Sequence, residues 1–286
     1  MSLPDFIIIG AMKCATSTLQ AQLAGQRGVF MSDPKEPNYF SDDAVFARGQ
    51  DWYESLFEAA PCGALTGEAS THYTKLPTYP RTLARMQAAL PDPRLIYVIR
   101  NPTVRAVSHY IHEWTEARAP DNAEDAFRDC ADYVDYGCYG MQISPYVGAY
   151  GRERILLTSL EQLGAEPDAE FARIAAFLGL PPGSAWLHDL PAQNVSAQRI
   201  RQLPLHGLLV DSRPARALRH LLVPKAVRRW IREARTIRQR PEIPQVLRRR
   251  MEARFLEDRE VLAGFFPGHP ALRLCYPFAP AGGQGS

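Results

Sequence analysis

The chain has 286 residues, of which 46% are apolar, 10% aromatic and 22% charged, and its formal net charge is +2. That composition excludes a mainly disordered, collagen-like or coiled-coil chain, and the length suffices to bury a core without disulfides or a structural metal. No window approaches the run of about 20 apolar residues that spans a bilayer, and the apolar stretch Phe6–Ile9 is too short for a secretory leader, so none is expected.

Asp5 to Ile9 is a β-branched apolar run that predicts a strand buried on both faces. Gly10 to Ala15 interrupts it, and Thr16 to Ala24 takes helical spacing with Leu19 and Leu23 one turn apart. A strand is predicted over Gly63–Glu68 and a helix over Leu83–Leu90, ended by Pro91-Asp92-Pro93. Arg94–Arg100 reads as a second strong strand, after which Asn101 can cap a helix that has Pro102 in its first position. A further strand over Arg154–Thr158 and a helix over Asp168–Leu178, stopped by Gly179, continue the alternation. Strand–helix alternation of this kind predicts an α/β fold, a parallel sheet with helices on both sides, whose ligand lies beyond the carboxyl ends of the strands. The expected organisation is one domain over 1–286, with the α/β core in 1–200 and a mainly helical, basic extension in 201–286.

Charge is unevenly distributed. Residues 1–212 hold 17 basic against 25 acidic side chains, a net of −8, whereas 213–259 hold 15 against 5, a net of +10. Val227, Trp230, Ile231, Ala234 and Ile237 recur at helical spacing among Arg228, Arg229, Arg232, Arg235 and Arg238. This pattern fits either a helix packed on the acidic body or a peripheral contact with an anionic membrane surface. No nucleic-acid motif accompanies it, so no nucleic-acid partner is expected. The five cysteines are scattered and odd in number, which argues against a disulfide framework and for a reducing, cytoplasmic setting.

Two constellations carry chemistry. In Gly10-Ala-Met-Lys13-Cys-Ala15-Thr16-Ser17-Thr18, a small-residue loop leads from a buried strand into a helix, which aims backbone N–H groups at one spot and favours a phosphate. Lys13 adds a point charge and the three hydroxyls add donors; the bland alternative is an ordinary tight turn with a surface lysine. It is not the nucleotide-triphosphatase loop GxxxxGK[ST], because the lysine does not directly precede the hydroxyl residue. That absence counts against a small P-loop kinase, the first rival reading; a catalytically inactive nucleotide-binding or membrane-docking protein is the second. The other constellation is Arg100 at a strand end with Ser108 about two turns into the next helix, a guanidinium and a hydroxyl suited to a second phosphate. Two phosphate sites at neighbouring strand ends imply a nucleotide phosphorylated in two places.

Taken in order, PDFIIIGAMKCATSTL, KEPNYF, GEASTHY and LIYVIRNPTVRAVSHY resemble the motifs of sulfotransferases that use 3′-phosphoadenosine 5′-phosphosulfate (PAPS), the bacterial and heparan-type enzymes in particular. The resemblance covers most of residues 4–180 and implies a P-loop-like three-layer fold. It further implies that PAPS is the co-substrate, PAP the product, and a hydroxyl of a small-molecule, lipid or sugar acceptor the target. By the same resemblance Lys13 contacts the phosphosulfate bridge, Ala15, Thr16, Ser17 and Thr18 hold the 5′-phosphate, and Arg100 and Ser108 hold the 3′-phosphate. Glu36 matches the catalytic base, with His72 its rival, and Asn194-Val195-Ser196 with Arg199 or Arg201 after it resembles the late loop that closes over the nucleotide. Sulfuryl oxygens carry little net charge, so no metal is expected. Pro37, Tyr39 and Phe40 are expected to wall Glu36 and raise its pKa by desolvation. Tyr73, Trp114, Tyr133, Tyr136 and Tyr139 are candidates for lining the acceptor pocket or stacking on adenine, and His109 reads as a packed or capping side chain. Heparan-type relatives often carry a second lysine where this chain has Ala69, which leaves Lys13 as the one lysine expected at the reacting centre.

Overall fold

The isoleucine run becomes the middle strand of a sheet in a computed structural model that describes residues 3–190 and 240–280. The first half of the chain runs β1 (Phe6–Gly10), α1 (Thr16–Ala24), β2 (Val29–Met31), α2 (Asp43–Phe46), α3 (Gln50–Ser55), β3 (Leu65–Ala69), α4 (Thr82–Ala89) and β4 (Arg94–Ile99). It continues through α5 (Pro102–Thr115), α6 (Ala123–Asp129), α7 (Asp132–Asp135), α8 (Tyr139–Tyr150), β5 (Ile155–Ser159), α9 (Leu160–Ala165) and α10 (Pro167–Leu178). After residues 191–239, which include Arg199 and the arginine stripe 228–238, come α11 (Gln245–Phe265) and α12 (Ala271–Leu274). Arg199 and that stripe lie outside the described residues.

The sheet has the order β2-β3-β1-β4-β5 and every pairing is parallel. All five residues of β1 and all five of β5 are buried, although successive side chains point to opposite faces, so both faces of the sheet are covered. This is the layered α/β architecture that the strand–helix alternation predicts, with boundaries shifted by a residue or two. Strand β2, which the sequence does not announce, is three residues at the sheet edge, Val29 and Phe30 half-buried and Met31 buried, too short to show a period.

Two local features steer the chain at the top of the sheet. β1 carries an extra residue relative to β4, since Ile8 faces Ile96 but Gly10 faces Tyr97. Such a bulge bends the strand where it enters the loop. At Gly10, φ is +153° and a β-carbon would fall 1.9 Å from Thr74 Oγ1, which donates to the Ile9 carbonyl; only glycine fits. From β1 the chain moves towards β2, and from β4 it moves the opposite way, to β5. The gap between β1 and β4 is therefore the switch point of the topology, where ligands of open α/β sheets bind.

The predicted helix signals appear in place. Asn101 Oδ1 accepts from Thr103 N at 3.0 Å and Val104 N at 3.2 Å, with Pro102 opening α5. Gly179 ends α10 with φ 70° in the left-handed region. At the far end, α11 lies against α8 and α5 and buries Met251, Phe255 and Leu262. The part of the basic segment within 240–259 is thus packed on the core.

Candidate active site

The loop after β1 is pinned and wound tightly. Ala11 N donates to the Val98 carbonyl of β4 at 2.7 Å, and Cys14 N reaches back to the Ala11 carbonyl at 3.2 Å. Lys13 (φ 67°) and Ala15 (φ 64°) both take the left-handed conformation, and Ala15 is the residue that caps α1. Backbone alternating through that region turns successive N–H groups to one side and makes an anion-binding hollow. The first N–H groups of α1 have no intrahelical acceptors and stand at the positive end of its dipole. Thr16 packs inward, while Ser17 and Thr18 stay half-buried at the loop. Cys14 is buried against Tyr139 Oη at 3.6 Å, and burial pushes its thiol up to about 11, so it packs as a neutral thiol.

Arg100 follows β4 directly and joins this loop. Its Nη1 donates to the Lys13 carbonyl at 3.1 Å. Tyr139 Oη braces its backbone, donating to the Arg100 carbonyl at 2.9 Å and accepting from its N–H at 3.4 Å. Arg100 Nε is buried with no hydrogen-bond partner among the described residues. Ser108 sits two turns along α5 with 4% of its surface exposed. A loop built for one phosphate and a guanidinium suited to another thus meet at the switch point, and the orphaned donor fits a doubly phosphorylated nucleotide.

Sequence reasoning missed Arg105. It is fully buried on α5, donates from Nη2 to the Tyr133 carbonyl at 2.7 Å, and leaves Nε and Nη1 without partners among the described residues. Its position three residues before Ser108 on one helix face was the available signal.

Glu36 and His72 come together beside the loop. Glu36 takes a left-handed backbone (φ 58°), and its N–H donates to the Ala69 carbonyl at the end of β3 at 3.0 Å. One carboxylate oxygen accepts from Lys35 Nζ at 2.9 Å and the other from Thr71 Oγ1 at 3.1 Å. The expected rise in its pKa is overturned. Burial does oppose ionisation, but the Lys35 charge, the bonds from Lys35 and Thr71, and His72 nearby outweigh it and hold the carboxyl below its ordinary value. The apolar wall fails to form because Tyr39 and Phe40 turn away into the core, where Tyr39 stacks on Tyr53 at 4.5 Å. His72 stacks on Tyr79 at 4.6 Å; burial, aided by the Lys75 charge, pushes its imidazole down to about 4, so it is neutral near pH 7.

Next to these residues opens a cleft of about 370 Å³, lined by His72, Lys75, Tyr79, His109, Tyr133 and Tyr136 among others. Of the five aromatic candidates, Tyr133 and Tyr136 line it. The other three do not: Tyr73 and Tyr139 are buried in the core, and Trp114 is tied by Nε1 to Asp121. His109 packs between the rings of Tyr133 and Tyr136, in keeping with a packed histidine, and burial together with Arg105 keeps it neutral. No local sequence pattern marks Lys75. Burial lowers it to about 8, and its ammonium faces the cleft 5.7 Å from the Tyr136 ring centre.

A parallel α/β sheet with a tightly wound loop after β1, joined there by the arginine that follows the adjoining strand, defines a P-loop-like α/β protein. Residues 3–208 match the sulfotransferase domain, and the chain belongs to that family. Among its relatives, human heparan sulfate glucosamine 3-O-sulfotransferase 6 is 31% identical over 185 residues, which cover 62% of this chain and 52% of that protein. The human bifunctional heparan sulfate N-deacetylase/N-sulfotransferase 2 is 26% identical over 201 residues, 63% of this chain and 22% of that protein. The chain thus spans about half the length or less of the curated relatives it matches. The sulfotransferase from Alicyclobacillus acidocaldarius superposes with a TM-score of 0.68 at 22% identity, covering 96% of this chain and all of that one, a likeness of fold.

Proposed function

We propose that this protein transfers the sulfuryl group of PAPS to a hydroxyl of a carbohydrate or other small acceptor seated in the cleft beside His72. The observation that supports the reading is the bond from Arg100 Nη1 to the Lys13 carbonyl, which joins the arginine after β4 to the loop after β1. PAPS supplies an activated sulfuryl group on a phosphate leaving group. The first turn of α1, with Ser17 and Thr18, holds the 5′-phosphate; Arg100 and Ser108 hold the 3′-phosphate. Lys13 sets positive charge against the bridging oxygen that departs, and the positive end of α1, roughly +0.5 of a charge, adds to it. Glu36 accepts the acceptor's hydroxyl proton, a contribution of about 10²–10⁴ in rate for a positioned base. His72, neutral beside it, orients the acceptor, and Lys75 places a cation in the cleft. The relatives' named activities on heparan sulfate support a sugar acceptor. A cytoplasmic setting completes the reading, resting on the cysteine pattern.

The deciding assay incubates the protein with an acceptor panel of sugars, phenols and amines, and either labelled PAPS or labelled ATP with magnesium. Label is expected to move from PAPS alone; transfer from ATP would replace this function with a kinase.

A further inference from the structure

Lys35 ties the donor loop to the base. Its ammonium donates to Ser17 Oγ in the first turn of α1 at 2.6 Å and to Glu36 Oε1 at 2.9 Å. The lysine and glutamate side chains are 27% and 30% exposed, so the pair is screened from bulk water yet open to the site. An ammonium is a compact charge on a flexible four-carbon stem, able to move between neighbouring anions. An anion seated at the first turn of α1 lies beside Ser17, within reach of that stem. A phosphate carries more charge and more acceptor oxygens than a carboxylate, so it competes well for the same ammonium.

We propose that Lys35 is a positioning residue that restrains Glu36 in an ion pair until the donor's 5′-phosphate arrives, then moves to that anion and leaves the carboxylate bonded to Thr71 and free to accept a proton. The proposal rests on the donor reading above. Three other ionisable groups face Glu36: His72, Lys75 and the buried Glu68. Lys35 alone pairs with it directly among the described residues. The restraint is therefore released by donor binding, and donor binding precedes productive acceptor binding.

The test is a carbon-13 NMR titration of the glutamate side-chain carboxyls in the whole protein, with the Glu36 signal assigned by its loss in Glu36→Gln and PAP as the probe. In the wild type, saturating PAP is expected to raise the Glu36 midpoint by about one pH unit, a tenfold change in its acid constant. Lys35→Met should show the raised midpoint without PAP and little further movement with it, and Lys35→Arg should restore the movement. Thermal protection by PAP with no shift in the wild-type midpoint would overturn the coupling while leaving the donor reading standing. A full PAP-dependent shift in Lys35→Met would also overturn it, by showing direct repulsion from the phosphate. Absence of PAP binding would overturn both readings. The wild-type titration decides the matter even where Lys35→Met does not fold.

Discussion

At Arg100 one guanidinium serves two loops. It holds the Lys13 carbonyl and keeps a buried Nε in reserve, so its removal affects both the shape of the first anion hollow and the charge of the second. A bond to a charged group is worth about 1.5–3 kcal/mol, which corresponds to roughly 10–100-fold in affinity. Arg100→Ala is expected to weaken PAP binding by that factor and adenosine 5′-phosphosulfate binding by much less, as read by calorimetry. Equal losses would mean that Arg100 acts by shaping the loop after β1 and not by holding a 3′-phosphate. Arg100 and Lys13 are legible in the chain because each follows a buried strand within a few residues. The pairing of Lys35 with Glu36 is legible from their adjacency, but the bond from Lys35 to Ser17 is not, and neither is Lys75, since each reaches across a segment with no periodicity. Glu36 was legible as a candidate base but its environment was not. The left-handed backbone at Glu36 and Asn38 carries Tyr39 and Phe40 into the core, and nothing in the residue types announces that turn.

The helices show the same division between local and distant causes. The cap of α5 is written in Asn101 and Pro102, adjacent to the helix they start. The cap of α8 is not: Cys138 supplies no side-chain bond, and the orphan N–H groups of Gly140 and Met141 donate instead to the two carboxylate oxygens of Asp258 on α11, each at 2.7 Å. Burial raises the Asp258 carboxyl despite those bonds. Gly140 allows the approach, because a β-carbon there would meet the Asp258 carbonyl at 2.5 Å. Asp258→Ala is expected to destabilise the fold by about 1–3 kcal/mol, the cost of leaving the buried Gly140 N–H without its acceptor. Asp258→Asn, which keeps one good acceptor, should lose less. Thermal unfolding of the two variants checks the order, and an unchanged midpoint for the alanine variant would show that α11 docks without serving α8. A residue 118 positions from its partner in a segment read as a basic extension gave no sequence signal for this role.

Across the whole molecule, pH acts through groups buried in or near the sheet. Glu68, in the interior of β3, is pushed up from 4.5 to about 7 chiefly by burial, with the hydroxyls of Tyr53, Tyr73 and Ser70 facing it. Its unfolded form loses its proton near pH 4.5 and its folded form near 7, so this group weakens the fold progressively as pH rises through that window, by roughly 3 kcal/mol in all. His72 and His269, both lowered to about 4, act in the opposite sense: they weaken the fold as pH falls from 6.5 towards 4. The opposed trends overlap, and subtraction separates them. Glu68→Gln should be more stable than the wild type at pH 8, with the advantage shrinking to nothing near pH 4, in urea unfolding across that range. An advantage that does not vary with pH would mean that folding leaves the Glu68 acid constant unchanged. The strand–helix order made the sheet itself legible, while the buried titrating groups arise from contacts between strands and loops far apart in the chain. The sheet's last strand has one more consequence. Arg152 Nη1 donates to the Ile155 carbonyl at 3.2 Å and Arg173 Nη2 to the Leu157 carbonyl at 2.5 Å, alternate acceptors on the rim of β5 that faces away from β4. Any foreign polypeptide trying to lengthen the sheet there must first evict two guanidinium groups, so strand addition at that rim is opposed by side chains outside the candidate site.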